Sequence, residues 1–306
     1  MAIVVGGEAL FDLVPHAVGE LRAHAGGGPY NTARTLGRLE QDVHYLGTLS
    51  DDGFGAQLRD QLQQDGVRLD SAVTTTKPTT LALAELDAHG AATYRFYTDG
   101  TSAPALTPEE ALAALPQDVD TLHVGTLGLV MEPVAAALQA VVEAVSDQAL
   151  IMVDPNCRPT FIEDRDHYRR ALAATLNYAH VVKVSADDLE YLEPNAELTH
   201  AARALLDDGP QIALVTLGAD GALIVTADGE HQVQAPKVAV VDTIGAGDAF
   251  GGGFLAHWRI NRRTKDDLKD PEAVRAATRF ACIVAARTCE RPGASPPRLS
   301  DLHGDL

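Results

Sequence analysis

A short stretch near the C-terminus combines small residues with one carboxylate in a pattern suited to acid–base chemistry beside an anion. Residues 242–250 read Asp-Thr-Ile-Gly-Ala-Gly-Asp-Ala-Phe. The first amides of a helix have no partner within it and carry part of the positive end of the helix dipole. We therefore expect Gly245, Ala246 and Gly247 to direct amides at a phosphate. Asp248, in the first turn, is expected to stay ionised and to accept a proton from an attacking hydroxyl.

Three more glycines follow inside the same predicted helix, at positions 251–253. A glycine inside a helix costs about 1 kcal/mol relative to alanine. Three such residues in one turn predict that other elements pack very closely against this helix.

Two other interpretations of the stretch stay open at the level of its residues. It is compatible with an ordinary strand-to-helix turn capped by an aspartate. Gly245, Gly247 and Gly251 also form G-x-G-x-x-x-G after the apolar run 238–241, as in a dinucleotide fingerprint. That fingerprint needs another strand ending in an acid about 20 residues later. A charged loop at 261–270 and a further predicted helix follow instead, which disfavours the dinucleotide interpretation.

The elements that position these residues are predicted from hydrophobic patterning. Residues 2–6 form an apolar, β-branched run typical of a buried strand. From residue 121 onward, short apolar runs alternate with segments of helical periodicity, ending in a helix at about 271–287. Repeated strand–helix units predict an α/β fold with a mostly parallel central sheet and helices on both faces. Ligands of such sheets gather at the carboxyl ends of the strands.

A second, smaller sheet is predicted from a hairpin inserted between these units. Residues 81–86 and 93–97 alternate apolar and polar side chains around a turn signal at 88–90. Strands inserted before the next helix imply an accessory sheet outside the main one.

Composition narrows the range of partners and compartments. Lys and Arg number 24 against 43 Asp and Glu, a net charge of −19, so nucleic acid is not an expected partner. The N-terminus lacks the basic region of a signal peptide, and no apolar run is long enough to cross a membrane. Three scattered cysteines predict reduced thiols and a cytoplasmic protein.

Residues 242–248 resemble the C-terminal signature D-T-x-G-A-G-D of the ribokinase-like (PfkB) family of carbohydrate kinases. Residues 26–33 resemble its N-terminal signature, G-G-x-x-x-N-x-A, although Glu40 and Ser50 replace small residues further along that signature. The D-x-N-x-R pattern at 154–158 is similar to the form found in fructokinases and their near relatives.

The resemblance implies an ATP-dependent sugar kinase whose expected acceptor is the 6-hydroxyl of D-fructose. Asp248 matches the catalytic base of the family. The resemblance also implies one kinase domain over 1–306, with lid strands inserted at about 13–24 and 79–98 that form a homodimer contact in some relatives. A kinase for ribose, 2-keto-3-deoxygluconate or a nucleoside, and a sugar sensor without activity, remain alternatives.

The resemblance assigns two sets of binding residues. Asp12 offers two acceptor oxygens to a vicinal diol, and Asn31 offers both a donor and an acceptor. The residues assigned to the sugar are Asp12, Gly27, Gly28, Asn31, Tyr97, Asn156, Arg158 and Asp248. The residues assigned to ATP are Lys183, Ser185, Thr216, Gly218, Gly221 and Gly247, with no Walker A sequence in the chain.

Cation sites are also implied by the resemblance. Ser185 and Asp188 stand where the family has N-x-x-E, a motif linked through water to Mg²⁺ and the phosphates. Their oxygens suit Mg²⁺, but the departure weakens the metal assignment. Asp242 and Ile244 match positions that hold a monovalent cation such as K⁺ in many family members.

Overall fold

The computed structural model describes residues 2–17, 20–86 and 92–302. Within these ranges the chain forms strands and α-helices that alternate along most of its length. The strands are β1 Ala2–Gly6, β2 Leu10–Ala17, β3 Glu20–Gly26, β4 Val43–Ser50, β5 Ala72–Thr75, β6 Leu81–Leu86, β7 Ala92–Tyr97, β8 Val119–Gly125, β9 Leu150–Asp154, β10 Val181–Ser185, β11 Ile212–Thr216, β12 Ala222–Thr226 and β13 Gly229–Val233. The helices are α1 Gly28–Arg38, α2 Gly53–Gln64, α3 Pro108–Ala113, α4 Val134–Val145, α5 Arg165–Leu176, α6 Ala186–Leu192, α7 Leu198–Leu206, α8 Ala246–Ile260 and α9 Pro271–Cys289.

Nine strands form one large sheet in the order β13-β12-β11-β10-β9-β8-β1-β4-β5. Neighbours pair in parallel from β5 to β11, and only β12 and β13 join antiparallel. The inner strands are apolar along their whole length, as the buried run Leu-Ile-Met-Val-Asp of β9 illustrates, because helices cover both faces of the sheet. The predicted α/β class with a mostly parallel sheet is confirmed.

Alternate side chains of each strand enter two separate cores. Leu150 and Met152 of β9 pack with α1, α2, α8 and α9, whereas Ile151 and Val153 pack with α3 to α7. This alternation follows from the two-residue period of a strand. The large sheet therefore has one helical layer on each face.

The accessory sheet has four strands in the order β3-β2-β6-β7. β2 pairs with β6 in parallel, and the outer pairs are antiparallel hairpins. The predicted small sheet is confirmed, whereas the predicted turn at 88–90 lies outside the described residues.

Helix α8 lies in close contact with its neighbours, as its three internal glycines predicted. A Cβ atom at Gly252 would lie 2.8 Å from Cβ of Thr35 on α1. A Cβ atom at Gly253 would lie 3.1 Å from Cα of Ala281 on α9. The glycines therefore allow three helices to pack at a distance that larger residues would prevent.

The apolar run before α8 does not form a strand. Residues 234–241 are outside regular secondary structure, and Val240 and Val241 are each 63% exposed. A dinucleotide fingerprint requires a strand directly before its glycine turn, so the structure also disfavours that interpretation. Among the described helices, none has the length and apolar character needed to cross a bilayer.

Candidate active site

A cavity of about 910 Å³ opens where the carboxyl ends of the parallel strands meet the N-termini of α1 and α8. The small sheet closes one side of it with Tyr94 and Phe96. Most of the residues assigned from the sequence meet here although they are far apart in the chain. Those lining the cavity are Asp12, Gly27, Gly28, Asn31, Asn156, Arg158, Lys183, Ser185, Asp188, Thr216, Gly218, Ile244, Gly245, Gly247 and Asp248.

Asp248 lies at the floor of this cavity, in the first turn of α8, and is 9% exposed. Its Oδ2 accepts a hydrogen bond of 2.9 Å from Nδ2 of Asn31. Burial raises the pKa of Asp248, and the Asn31 hydrogen bond together with the positive charges of Lys183 and Arg158 opposes that rise. The carboxylate is thus held in one orientation with its basicity increased, which suits a proton acceptor.

The start of α8, beside Asp248, has backbone amides that can donate hydrogen bonds to a ligand. Gly245 precedes α8 in the left-handed conformation, with a φ of 75°, and provides no side-chain cap. The first amides of α8 therefore have no acceptor from the cap residue. Since Gly245 and Gly247 line the cavity, this end of the helix can bind an anion.

The prediction for Ala246 needs correction. Its amide donates to the carbonyl oxygen of Thr243 at 3.2 Å and so closes the turn that contains Gly245. Ala246 is not among the residues that line the cavity. Gly245 and Gly247 remain the predicted anion-binding residues.

The prediction for Tyr97 also needs correction. Successive side chains of a strand point to opposite faces, and Tyr94 and Phe96 of β7 face the cavity. Tyr97 therefore points away from it and is 51% exposed. An aromatic wall does share the cavity with the predicted sugar-binding residues, but Tyr94 and Phe96 form it.

Gly221 is a turn residue and does not line the cavity, contrary to its assignment to ATP. Its φ is 90°, and a Cβ atom there would lie 2.0 Å from the carbonyl oxygen of Val233. Its own carbonyl oxygen accepts a hydrogen bond of 2.8 Å from the amide of Leu217. The glycine is needed for the hairpin between β11 and β12, which presents Thr216 and Gly218 to the cavity.

Asp12 and Arg158, two of the residues predicted to bind the sugar, both line the cavity and interact electrostatically. Burial raises the pKa of Asp12 to about 6, with the Arg158 charge lowering it and the Asp248 charge raising it. A Cβ atom at Gly26 would lie 2.3 Å from Oδ2 of Asp12, so glycine there makes room for the carboxylate. Arg158 donates to Oδ1 of Asn156 at 2.6 Å, which links both predicted residues of this loop.

Lys183 brings a buried positive charge to the start of α8. Its Nζ donates to Oδ2 of Asp154 at 2.9 Å, and both side chains are almost fully buried. A Cβ atom at Gly247 would lie 3.0 Å from this Nζ. Although burial alone lowers the pKa of Lys183, the Asp154 carboxylate raises it above its usual value. The ammonium group therefore adds to the positive potential of the helix terminus.

Asp188 lines the cavity, but its carboxylate is already engaged. Oδ2 accepts hydrogen bonds from the amide and hydroxyl of Ser185 at 2.7 Å each, and Oδ1 accepts from the amide of Cys157 at 2.7 Å. These bonds cap α6. They leave Asp188 poorly suited to direct coordination of a metal ion, and a contact through water fits better. Within the described residues, no group of three or more His, Cys, Asp or Glu side chains is arranged to hold a metal.

The two residues predicted to hold a monovalent cation differ in their position relative to the cavity. Ile244 lines the cavity and Asp242 does not. Asp242 accepts from the amide of Ile244 at 3.1 Å and from that of Gly293 at 2.7 Å, and so fastens the turn before α8 to the C-terminal loop.

Glu8 lines the cavity, although the sequence interpretation assigned no role to it. Its carboxylate accepts from the amides of Gly28 at 3.1 Å and Gly128 at 2.9 Å, and from the hydroxyl of Thr126. Burial raises the pKa of Glu8 to about 7. Its place directly after the buried strand β1 is the signal that would have identified it, because functional side chains collect at such strand ends.

Comparison with known proteins identifies the family. The model of the pfkB family of carbohydrate kinases matches residues 3–301. The chain therefore belongs to the pfkB carbohydrate kinase family, and its expected class as a phosphotransferase with an alcohol acceptor is confirmed.

Two similar proteins are both fructokinases. A fructokinase from Rhizobium leguminosarum bv. trifolii is 33% identical over 280 residues, which cover 89% of this chain and 85% of the relative. Fructokinase-2 from Solanum habrochaites is 32% identical over 307 residues, covering 96% of this chain and 92% of the relative.

Two solved structures share the fold over nearly the full chain. A fructokinase with bound ATP from Xylella fastidiosa is 27% identical with a TM-score of 0.89, covering 99% of this chain and 98% of its own. An aminoimidazole riboside kinase from Salmonella enterica, solved with aminoimidazole riboside and an ATP analogue, is 27% identical with a TM-score of 0.84, covering 96% and 95%.

Proposed function

We propose that this protein is a fructokinase that transfers the γ-phosphoryl group of ATP to the 6-hydroxyl of D-fructose. One observation carries the proposal: a buried carboxylate, Asp248, is oriented by Asn31 at 2.9 Å in the first turn of an uncapped helix that lines a large cavity. A proton acceptor beside an anion-binding helix terminus meets the main needs of phosphoryl transfer to an alcohol.

In this proposal Asp248 takes the proton of the 6-hydroxyl as its oxygen attacks the γ-phosphorus. The bond from that phosphorus to the β,γ-bridging oxygen breaks, and ADP leaves with the bonding electron pair. The amides at Gly245 and Gly247 and the ammonium group of Lys183 stabilise negative charge on the phosphoryl oxygens. Asn31 keeps Asp248 pointed at the acceptor.

The sugar is proposed to bind between the small sheet and the loops that follow β1, β8 and β9. Asp12 accepts hydrogen bonds from two of its hydroxyls, and Arg158 and Asn156 border the other side. Gly27 and Gly28 let the sugar approach the backbone. Tyr94 and Phe96 supply an apolar wall for one face of the ring.

ATP is proposed to bind along the carboxyl ends of β10 and β11, beside Lys183, Ser185, Thr216 and Gly218. Because the chain carries a net charge of −19, phosphate binding depends on local amides, Lys183 and a divalent cation. Mg²⁺ bound with ATP neutralises phosphate charge, and Asp188 is proposed to contact it through water. Asp242 and Ile244 remain the proposed site of a monovalent cation.

The small sheet is proposed to act as a lid of the single kinase domain, and its outer face as a homodimer contact. A lid excludes water, the competing phosphoryl acceptor. The outer face carries Leu21, 56% exposed, and Tyr97, 51% exposed, which suits contact with a second copy. We expect the enzyme to act in the cytoplasm, where its three free thiols stay reduced.

A riboside kinase is the second candidate function. Aminoimidazole riboside kinase from Salmonella enterica has the same fold at 27% identity, and the diol of a ribose also suits the two oxygens of Asp12. An acceptor with a bulky base needs more room beside Tyr94 and Phe96 than fructose does.

A coupled assay of ADP release across fructose, ribose, 2-keto-3-deoxygluconate and nucleosides tests the proposal. We expect the highest kcat/KM with fructose and a product phosphorylated at the 6-hydroxyl. A higher kcat/KM with a nucleoside would replace fructose as the acceptor. Fructose binding without ADP release would support the sugar-sensor alternative.

A further inference from the structure

Glu8 supplies the missing cap of two separate segments. The residue before α1, Gly27, makes no side-chain cap, and neither does Gly125, which precedes the 3₁₀ turn Thr126–Leu129. The carboxylate of Glu8, from the end of β1, accepts the amide of Gly28 on one side and that of Gly128 on the other. A negative charge at these amides is electrostatically favourable.

The glycine loop itself has no space for a cap of its own. A Cβ atom at Gly28 would lie 2.3 Å from Cγ2 of Thr126 and 3.3 Å from Oδ1 of Asp248. A Cβ atom at Gly27 would lie 2.5 Å from the carbonyl oxygen of Glu8. Because Glu8 supplies the cap from another segment, the loop needs no capping side chain of its own.

A short connected path leads from Glu8 to the proposed base. The amide of Asn31 donates to the carbonyl oxygen of Gly27 at 3.0 Å in the first turn of α1. The side chain of Asn31 then holds Oδ2 of Asp248 at 2.9 Å. The position of the first turn of α1, which Glu8 holds at Gly28, therefore also sets the position of Asn31.

We propose that Glu8 is a positioning residue for the phosphoryl acceptor, because its carboxylate holds the Gly27–Gly28 wall and the Thr126–Gly128 wall of the cavity at a fixed separation. It acts through the backbone and does not touch the reacting atoms. The inference rests on the proposed function in one respect, namely that the acceptor binds between these two walls.

The charge of Glu8 matters to this role. All three partners in the site donate to it, so the ionised form makes the full set of bonds. Tyr45 on β4 is a titratable group that interacts electrostatically with Glu8. Asp248 on α8 borders Gly28, whose amide donates to Glu8. Burial raises the pKa of Glu8 to about 7. We therefore expect the hydrogen bonds of Glu8 to the two walls to weaken as the pH falls below that value.

The test compares Glu8→Gln with Asp52→Asn. Asp52 is a matched control, because its carboxylate also joins two segments through the amides of Gly55 and Thr79, at 2.8 Å each, away from the cavity lining. At pH 8 we expect Glu8→Gln to raise the KM of the acceptor about 10-fold or more, the effect of losing a charge-assisted hydrogen bond. The KM of ATP should stay close to that of the wild type.

A pH series separates positioning from a general loss of stability. The ratio of acceptor KM values between Glu8→Gln and the wild type should shrink at pH 6, since the wild-type carboxyl is then largely neutral. Groups that titrate identically in both proteins affect both KM values equally and cancel in this ratio. The milder variant Thr126→Val, which keeps the side-chain shape and removes one donor to Glu8, should raise the acceptor KM by a smaller factor and serves if Glu8→Gln does not fold.

The proposal is overturned if acceptor KM is unchanged in both Glu8→Gln and Thr126→Val, if Asp52→Asn raises it equally, or if the ratio does not depend on pH. These outcomes are distinct from a failure of the proposed function. The acceptor preferred by the wild type in the substrate panel decides that function, and the KM ratios are then measured with that acceptor.

Discussion

In the proposed function the chemistry depends on Asp248, because this residue combines burial, a fixed orientation and a position at a helix terminus. Replacing it with asparagine preserves its shape and its contact with Asn31 but removes the proton acceptor. We expect Asp248→Asn to lower kcat by about 10³-fold, within the usual range for loss of a general base. Binding of the sugar and of ATP, measured by calorimetry, should change little.

Asp220→Asn provides the matched control for that substitution. Asp220 is an exposed carboxylate that lines the same cavity, and its removal should leave kcat near the wild-type value. Near-normal turnover of Asp248→Asn would refute the assigned role.

The pH dependence of kcat offers a second test at the residue scale. Burial raises the pKa of Asp248, and the base is active only when ionised, so kcat should fall on the acid side at a pH above the usual range of an aspartate. Lys183 opposes this rise. In Lys183→Gln, which keeps a donor to Asp154, the acid limb should therefore move to higher pH.

Lys269→Gln, a change of an exposed lysine outside the cavity lining, is the control for the pH experiment. Its kcat profile should overlay that of the wild type. An acid limb that does not move in Lys183→Gln would mean that the ammonium charge does not act on the proposed catalytic carboxyl.

At the scale of elements, the close packing of α8 against α1 and α9 determines where the proposed anion-binding terminus lies. The nearest atom to a Cβ at Gly252 is a β-branched carbon of Thr35 at 2.8 Å, which cannot rotate away without moving α1. We expect Gly252→Ala to lower the free energy of unfolding by about 1–3 kcal/mol, the usual cost of overpacking, despite the better helix propensity of alanine. Urea denaturation measures this change.

Gly53→Ala is the matched control for helix packing. Gly53 begins α2, and a Cβ atom there would meet no atom within 4 Å. The substitution should stabilise the protein by about 0.5 kcal/mol or more through the lower entropy of the unfolded chain. If Gly252→Ala proves as stable as the wild type, α8 has more freedom than its contacts indicate.

At the scale of the whole molecule, the small sheet has one face on the cavity and one directed outward. Asp12, Tyr94 and Phe96 belong to the inner face, whereas Tyr97 belongs to the outer face. The outer face leaves large apolar side chains in solvent, and a second copy of the chain would cover them.

The proposed homodimer is tested by light scattering after size exclusion. We expect the wild type to have twice the mass of one chain and Leu21→Asp to shift towards the monomer, because a charge at this apolar face disfavours its burial. Leu112→Asp alters a residue of similar exposure, 44%, on α3 and should remain dimeric. A monomeric wild type would contradict the dimer proposal.

The sequence by itself determined the architecture and much of the cavity. Uninterrupted apolar runs alternating with helical periodicity define a parallel α/β sheet, because both faces of each strand must be buried. Gly245, Gly247 and Asp248 could be assigned from spacing and residue type, since the anion-binding capacity of a helix terminus is a local property. The glycines at 251–253 likewise indicated close packing.

Only the tertiary structure decided which way several side chains point and what they meet. Tyr97 and Phe96 are adjacent in sequence, and the docking of the small sheet decides which of them faces the cavity. Ala246 and Gly221 belong to local motifs. The amide of Ala246 and the carbonyl oxygen of Gly221 nevertheless form the hydrogen bonds that close their own turns. Glu8 meets Gly28 and Gly128, which are 20 and 120 residues away in sequence, and contacts over such separations arise only when the strands assemble and bring their carboxyl ends to one edge.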